Sequence, residues 1–173
     1  MRGLPVPVLP GSLRPVKKEP VPVYVHRFAF PPEAEDPNHH VNNVEYVRML
    51  QESAIAHTRQ NGWAPEELHE RGWTWVVRSH FIEYLQPCRA GEEIEIHTWV
   101  ANFKKIRSLR KYRFVRAADG AVLAEAQTDW VFLDFRRNRP MAIPPEVLAA
   151  YVVVPEEEEM NIQYPTPNIQ PIK

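Results

Sequence analysis

The stretch EDPNHHVNNVEYV, residues 35–47, places an aspartate, a proline, three asparagines and two histidines within thirteen positions. Such residues start or interrupt structure, yet the helical spacing of Val44, Val47, Leu50 and Ala54 begins inside the run. Asn42 or Asn43 is a good helix N-cap, and Asn61-Gly62 is a good stop. A helix start has unpaired backbone N–H groups and a partial positive charge, which can polarise a carbonyl oxygen. Asp36 approaches that point from the preceding loop. Asn38 and His40 follow at alternate positions, so an extended loop would point all three side chains the same way. Carboxylate, amide, imidazole and helix-start donors converging on one point suit attack on an acyl carbon, by water or by the carboxylate itself. These are equally ordinary loop and capping residues, and spacing alone leaves both readings open.

Outward from this run, VYVHRFAF (residues 23–30) alternates as a strand and ends at Pro31-Pro32. APEELHER has Pro65 in the first turn of a short second helix. After Gly72 come four β-rich runs: WTWVVRSHFIEYL, EEIEIHTWVANF, SLRKYRFVRAA and AVLAEAQTDWVFLDF. Asp119-Gly120 predicts a hairpin between the last two, and Ala90-Gly91 a turn between the first two. PPEVLAAY predicts a short final helix. One strand, a long helix and four antiparallel strands define an α+β fold, with the helix covering the sheet's buried face.

The chain has 173 residues, 44% of them hydrophobic, which fits one domain with a substantial core. A net charge of -1 argues against nucleic-acid or membrane affinity driven by overall charge. The single cysteine, Cys88, excludes an internal disulfide and points to a reducing compartment. No apolar run reaches the ~18 residues of a membrane span. The reading is a soluble, cytoplasmic protein without membrane or nucleic-acid partners. Residues 1–22 read as a proline-rich extended arm, 23–151 as the folded body and 152–173 as an acidic, proline-containing tail.

DPNHHVNNVEY resembles the motif of hotdog-fold thioesterases of the 4-hydroxybenzoyl-CoA thioesterase type. Its D-x-N-x-H-V-N-N spacing is similar to that of acyl-ACP thioesterases. The likeness continues through ERGWTWVVRSHFIEYLQPCRAGEEIEIHTWV and KKIRSLRKYRFV to IPPEVL, and so covers residues 23–151. It implies a hotdog fold, an antiparallel sheet of about five strands wrapped around one long helix. It also implies acyl-CoA thioester hydrolysis, with Asp36 as nucleophile or general base, Asn38 and His40 in its catalytic network, and helix-start N–H groups near Val41 to Asn43 polarising the carbonyl. Acyl-ACP enzymes carry a glutamate just before a cysteine in the strand matching EYLQPC. Here Pro87 precedes Cys88, which tilts the carrier toward CoA. Another branch places its acid on the long helix, where Glu52 stands as the lesser candidate. Cys88 has no base beside it and reads as structural.

Lys104, Lys105, Arg107, Arg110, Lys111, Arg113 and Arg116 put seven cations into thirteen residues. They read either as a solvated hairpin edge or, by resemblance, as a landing site for CoA phosphates at Lys104, Lys105 and Arg107. Trp75 is a candidate for the acyl pocket, and Asn43 for the helix-start contact. No metal and no bound redox cofactor is expected, CoA being part of the substrate. A lone hotdog leaves an open sheet edge and a half-built pocket, which predicts a homodimer or homotetramer. The competing readings are an acyl-ACP thioesterase, a hotdog dehydratase, whose His-and-acid motif is not found, a non-catalytic acyl-CoA-binding module in which Asp36 is dispensable, and a nucleic-acid-binding β domain, against which the near-neutral charge argues.

Overall fold

The computed structural model describes residues 19–155; the expected arm and tail lie almost wholly outside them. The sheet is built from β1 (Tyr24–Ala29), β2 (Trp73–Tyr84), β3 (Glu93–Lys104), β4 (Arg107–Arg116) and β5 (Val122–Asp134), with a two-residue β6 (Arg139–Pro140) on the end of β5. Three α-helices accompany it among the described residues, α1 (Asn43–Gln60), α2 (Pro65–Glu70) and α3 (Pro145–Leu148), with one 3-10 turn at Pro32–Ala34. None of the described helices is long and apolar enough to cross a membrane.

Every main pairing is antiparallel, in the order β1-β3-β4-β5-β2. β2 is therefore an edge strand beside β5, and the expected turn between β2 and β3 at Ala90-Gly91 is not a hairpin. The connection crosses the sheet instead: Leu85 and Gln86 donate their N–H groups to the Leu123 carbonyl, and Gly91 donates to Phe30 beside β1. A local turn signal marks where the chain bends, not which strands then pair. Between β4 and β5 the hairpin forms as expected, with Gly120 at φ 74° and Asp119 accepting the Ala121 N–H at 3.0 Å.

α1 lies against the concave face of the curled sheet. Asn42 caps it, its side chain accepting the Val44 N–H at 3.0 Å, and Gly62 at φ 78° follows its end. Its buried residues are Tyr46, Met49, Leu50, Ser53, Ala54 and His57, an alternating three-and-one spacing that makes a single stripe. Val44 and Val47, expected on that stripe, are 68% and 39% exposed. At roughly 100° per residue, Val44 lies about 150° around the helix from the stripe's centre. The sequence shows two apolar stripes, and only one meets the sheet.

Strand alternation supplies the other side of the core. Ile94, Ile96, Thr98 and Val100 of β3 and Ser108, Arg110, Tyr112 and Phe114 of β4 are all buried at alternate positions. A second cluster, with Trp63, Leu68, Phe132, Ile143 and Val147, closes the sheet end where α2 and α3 pack. The core is thus divided into separate apolar clusters, one under α1 and another at the end where α2 and α3 pack.

Candidate active site

Glu35 and Val41 form an isolated antiparallel bridge, which folds the residues between them into a tight turn. Asp36 donates its N–H to the His40 carbonyl at 2.8 Å, and His39, at φ 59°, donates to the Asp36 carbonyl at 3.0 Å. The extended loop expected to align Asp36, Asn38 and His40 is therefore replaced by a turn. The cause is local: Pro37 fixes φ at the second position, and the Asp36 side chain caps the turn from inside. Its Oδ1 accepts the Asn38 N–H at 2.8 Å and the His40 N–H at 3.3 Å, while Oδ2 faces the Asn38 amide at 3.4 Å.

Desolvation pushes the Asp36 carboxyl up, but these hydrogen bonds together with His40 outweigh it and hold the carboxyl below its ordinary range. The group is a carboxylate at neutral pH. It lines a concavity of about 290 Å3 together with His40, Asn43, Tyr46, Tyr84 and the segment 85–88. Asn38 does not line this space; it touches Asp36 from behind. The turn thus brings Asp36, His40 and Asn43 together and leaves Asn38 as a brace.

The helix-start donors are fewer than expected. The Val41 N–H goes to the Cys88 carbonyl at 2.9 Å and the Asn42 N–H to the Ala34 carbonyl at 2.8 Å. The Val44 N–H is capped by Asn42. That leaves Asn43, which lines the concavity, with the one N–H of this group that has no acceptor among the described residues. Opposite stand Tyr46 and Tyr84, their rings edge-to-face at 5.2 Å, with Tyr84 Oη 3.5 Å from the Asn43 carbonyl oxygen. Sequence reasoning named neither tyrosine as a site residue, although Tyr46 stands in the opening run and Tyr84 in EYLQPC. Burial pushes the Cys88 thiol up to about 12, so it is no nucleophile, and burial likewise raises the Tyr46 phenol. Glu52 is held by Arg48 at 2.6 Å on the exposed side of α1, away from this concavity.

The expected basic landing site does not join Asp36 within one chain. Lys104, Lys105 and Arg107 sit at the β3–β4 turn, and Arg116, at the other end of β4, donates to the Pro87 carbonyl at 2.9 Å beside the concavity. Ten residues of strand, about 30 Å, separate the ends. Nor are the seven cations one patch. Arg107 pairs with Asp129, Arg113 with Glu125, and Arg116 with Asp119 and Glu92. Alternation splits the run between two faces of the sheet. Trp75 also lies at the far end, in a second cavity of about 210 Å3 between α1, α2 and the sheet.

With this geometry in place, comparison with known proteins identifies the class. Residues 30–151 match the family described as the Thioesterase-like superfamily, and the chain belongs to it. The expected hotdog architecture is the one observed. The chain is 28% identical over 107 residues to a chloroplastic palmitoyl-acyl carrier protein thioesterase of Cuphea hookeriana, covering 58% of this chain and 26% of that protein. It thus spans about a quarter of the length of such relatives. It is 25% identical over 111 residues to the acyl-CoA thioester hydrolase YbgC of Escherichia coli, covering 64% of this chain and 82% of that one. Among solved structures, a 1,4-dihydroxy-2-naphthoyl-CoA thioesterase from Synechocystis superposes with TM-score 0.69 at 15% identity, covering 74% of this chain and 94% of that one. An acyl-ACP thioesterase from Bacteroides thetaiotaomicron gives TM-score 0.69 at 20% identity, covering 87% and 58%. These two likenesses concern the fold alone.

Proposed function

We propose that the protein hydrolyses acyl thioesters, with CoA as the carrier, to the free acid and thiol. The observation that carries this reading is one concavity lined by an ionised Asp36 and by Asn43, whose N–H has no acceptor among the described residues. The thioester carbonyl oxygen takes the Asn43 N–H, which also lies at the positive end of α1. Asp36 then acts through Oδ2, the less engaged oxygen. Acting as a base, it takes a proton from water as the hydroxyl adds to the carbonyl carbon. The C–S bond breaks, and the thiolate leaves and is protonated. Acting as a nucleophile, it forms an anhydride that water opens. His40, exposed at the rim, orients the thioester or the water. Relatives named for acyl-CoA and acyl-carrier-protein hydrolysis support the reaction class, and Pro87 before Cys88 favours CoA.

The working unit in this reading is a homodimer. β2 has twelve residues, and its outer edge is unpaired among the described residues. Val76, Val77, Phe81 and Tyr84 on it are between 37% and 60% exposed, and Val44 and Val47 of α1 are exposed as well. Such an edge calls for a partner strand. Two-fold antiparallel pairing of β2 with its copy lays the Trp73 end of one chain beside the Tyr84 end of the other. The partner's far-end cavity and basic turn then stand on the side of Asp36. Thiol release from a panel of acyl-CoAs tests the activity: turnover well above the no-enzyme rate is expected, and none with any chain length or aromatic acyl group would overturn it.

A further inference from the structure

β4 carries four arginines, and three of them have carboxylate partners: Arg107 with Asp129, Arg113 with Glu125, and Arg116 with Glu92 and Asp119. Arg110 is the most buried of the four, 5% exposed, and has none among the described residues. Its Nη1 donates to His57 Nδ1 at 2.9 Å and to Thr98 Oγ1 at 3.3 Å, and its Cζ lies 6.0 Å from the Tyr151 ring centroid. All three neighbours are neutral at pH 7. Burial first, then the Arg110 charge, push the His57 imidazole down to about 3. Removing a cation from water is costly, and a well-placed anion is what offsets that cost in a buried site. A chain that gives the three partly buried arginines carboxylates and the most buried one none has left a place for an anion.

That place is open. Arg110 lines the 210 Å3 cavity, whose other walls are largely apolar: Ile55, Leu68, Trp75, Phe103 and Trp130. A dry cavity of about 150 Å3 holds a benzene ring, so this one accepts a ring with a substituent or a chain of like bulk. A guanidinium presents planar paired donors that match a carboxylate better than a single-point acceptor. We propose that this cavity is a binding site for a carboxylate borne on a compact apolar or aromatic body, with Arg110 receiving the anion and the tryptophans holding the body. The occupant is either a free carboxylic acid or the carboxyl-ended acyl group of a thioester. Only the second source rests on the hydrolase reading above, and it further requires the partner chain to bring this cavity to Asp36.

The test uses the full chain and the fluorescence of its tryptophans, two of which line the cavity. Benzoate should bind saturably and at least tenfold more tightly than benzyl alcohol, which has the same body without the charge. Arg110→Met, nearly matched in length, should remove that preference. Ile55→Trp, which fills the cavity while sparing Arg110, should weaken both probes and supports the site if Arg110→Met fails to fold. Asp36→Asn should bind benzoate as the wild type does, so a failure of hydrolysis and a failure of this site are read separately. Equal affinity for acid and alcohol, no saturable binding of either, or a preference that survives Arg110→Met overturns the proposal. A second arm separates the sources. If the anion arrives on the acyl group, Arg110→Met raises KM for a carboxyl-ended acyl-CoA at least tenfold and leaves its methyl-ended analogue within twofold. If the free acid is the occupant, both thioesters respond alike.

Discussion

The Asp36 carboxylate accepts the backbone N–H of Asn38 at 2.8 Å, so the acid is held by the turn that it begins. This does two things at once. It fixes the side chain without an opposing arginine, and it keeps the group ionised while leaving Oδ2 with only the 3.4 Å contact to the Asn38 amide. A salt bridge would have lowered the pKa as well, but it would have placed a competing cation in the site.

Asp36→Asn should therefore keep the fold and oligomer, because the amide oxygen can still accept the turn N–H groups, while thioester turnover falls by at least ~10². The wild-type kcat/KM profile should have its acid limb below the ordinary carboxylate range, since the folded-state pKa is lowered. Wild-type turnover in the variant, checked by thiol release, would remove Asp36 from the mechanism.

His57 gives a stability prediction with a defined sign. Arginine can only donate, so the Nδ1 that accepts from Arg110 carries the lone pair and Nε2 carries the proton, buried without an acceptor among the described residues. The folded-state pKa, near 3, lies below the unfolded value of 6.5. Between those values the unfolded chain binds the extra proton, so stability is complete above about pH 6.5 and falls as pH drops toward 3. From pH 7 to pH 5 this single group removes about 2 kcal/mol. His57→Gln retains an acceptor for Arg110 and should lose measurably less stability over that interval in urea titrations. Equal losses in both proteins would mean that His57 does not titrate as stated.

The strands, the long helix and its caps were legible because each follows from local period and local capping chemistry. Leu50 and Ala54 lie on the stripe that helical spacing indicated, and Tyr46 and Met49 complete it where Val44 and Val47 were expected. Tertiary competition settled the rest. Val44 and Val47 make an equally apolar stripe that lies off the sheet. Leu85 carries the chain away from β3 rather than back beside it. Asp36 folds its own loop, which no alternation pattern reveals. Arg110 and Lys111 are neighbours in sequence, yet the pleat sends one under α1 and the other to the opposite face. Charge clustering along a strand therefore says little about charge clustering in space.

For assembly, light scattering at micromolar concentration should report a particle of at least twice the 20.2 kDa chain mass. Val76→Glu together with Phe81→Glu puts two like charges per chain on the open β2 edge, at positions 38% and 60% exposed. Being exposed, they should leave the protomer folded by circular dichroism while the particle shifts toward the chain mass. A wild-type monomer, or an assembly indifferent to both charges, would rule out pairing through β2.

The basic turn now divides into two separable effects. Arg107 is committed to Asp129 through Nε at 2.9 Å and a second contact, and an exposed pair of this kind adds little stability. Arg107→Ala should therefore cost a little stability and leave KM for acyl-CoA nearly unchanged. Lys104 and Lys105 have no carboxylate within salt-bridge distance among the described residues, and in the paired arrangement they stand on the partner's Asp36 side. If they meet the CoA phosphates there, Lys104→Ala with Lys105→Ala should raise KM several-fold and change kcat much less, because contacts remote from the carbonyl are alike in ground and transition states. Added salt should raise the wild-type KM and affect the double variant less, exposed charges being screened over about 8 Å at physiological ionic strength. A short thioester without the nucleotide should not distinguish the two proteins. The β2 charge variant supplies the decisive control: dispersed into single chains, it should lose the salt dependence along with the turnover, because within one chain the lysines lie about 30 Å of strand away from Asp36. If KM for acyl-CoA is unmoved in the double-lysine variant, the turn is a solvated hairpin and the phosphates bind elsewhere.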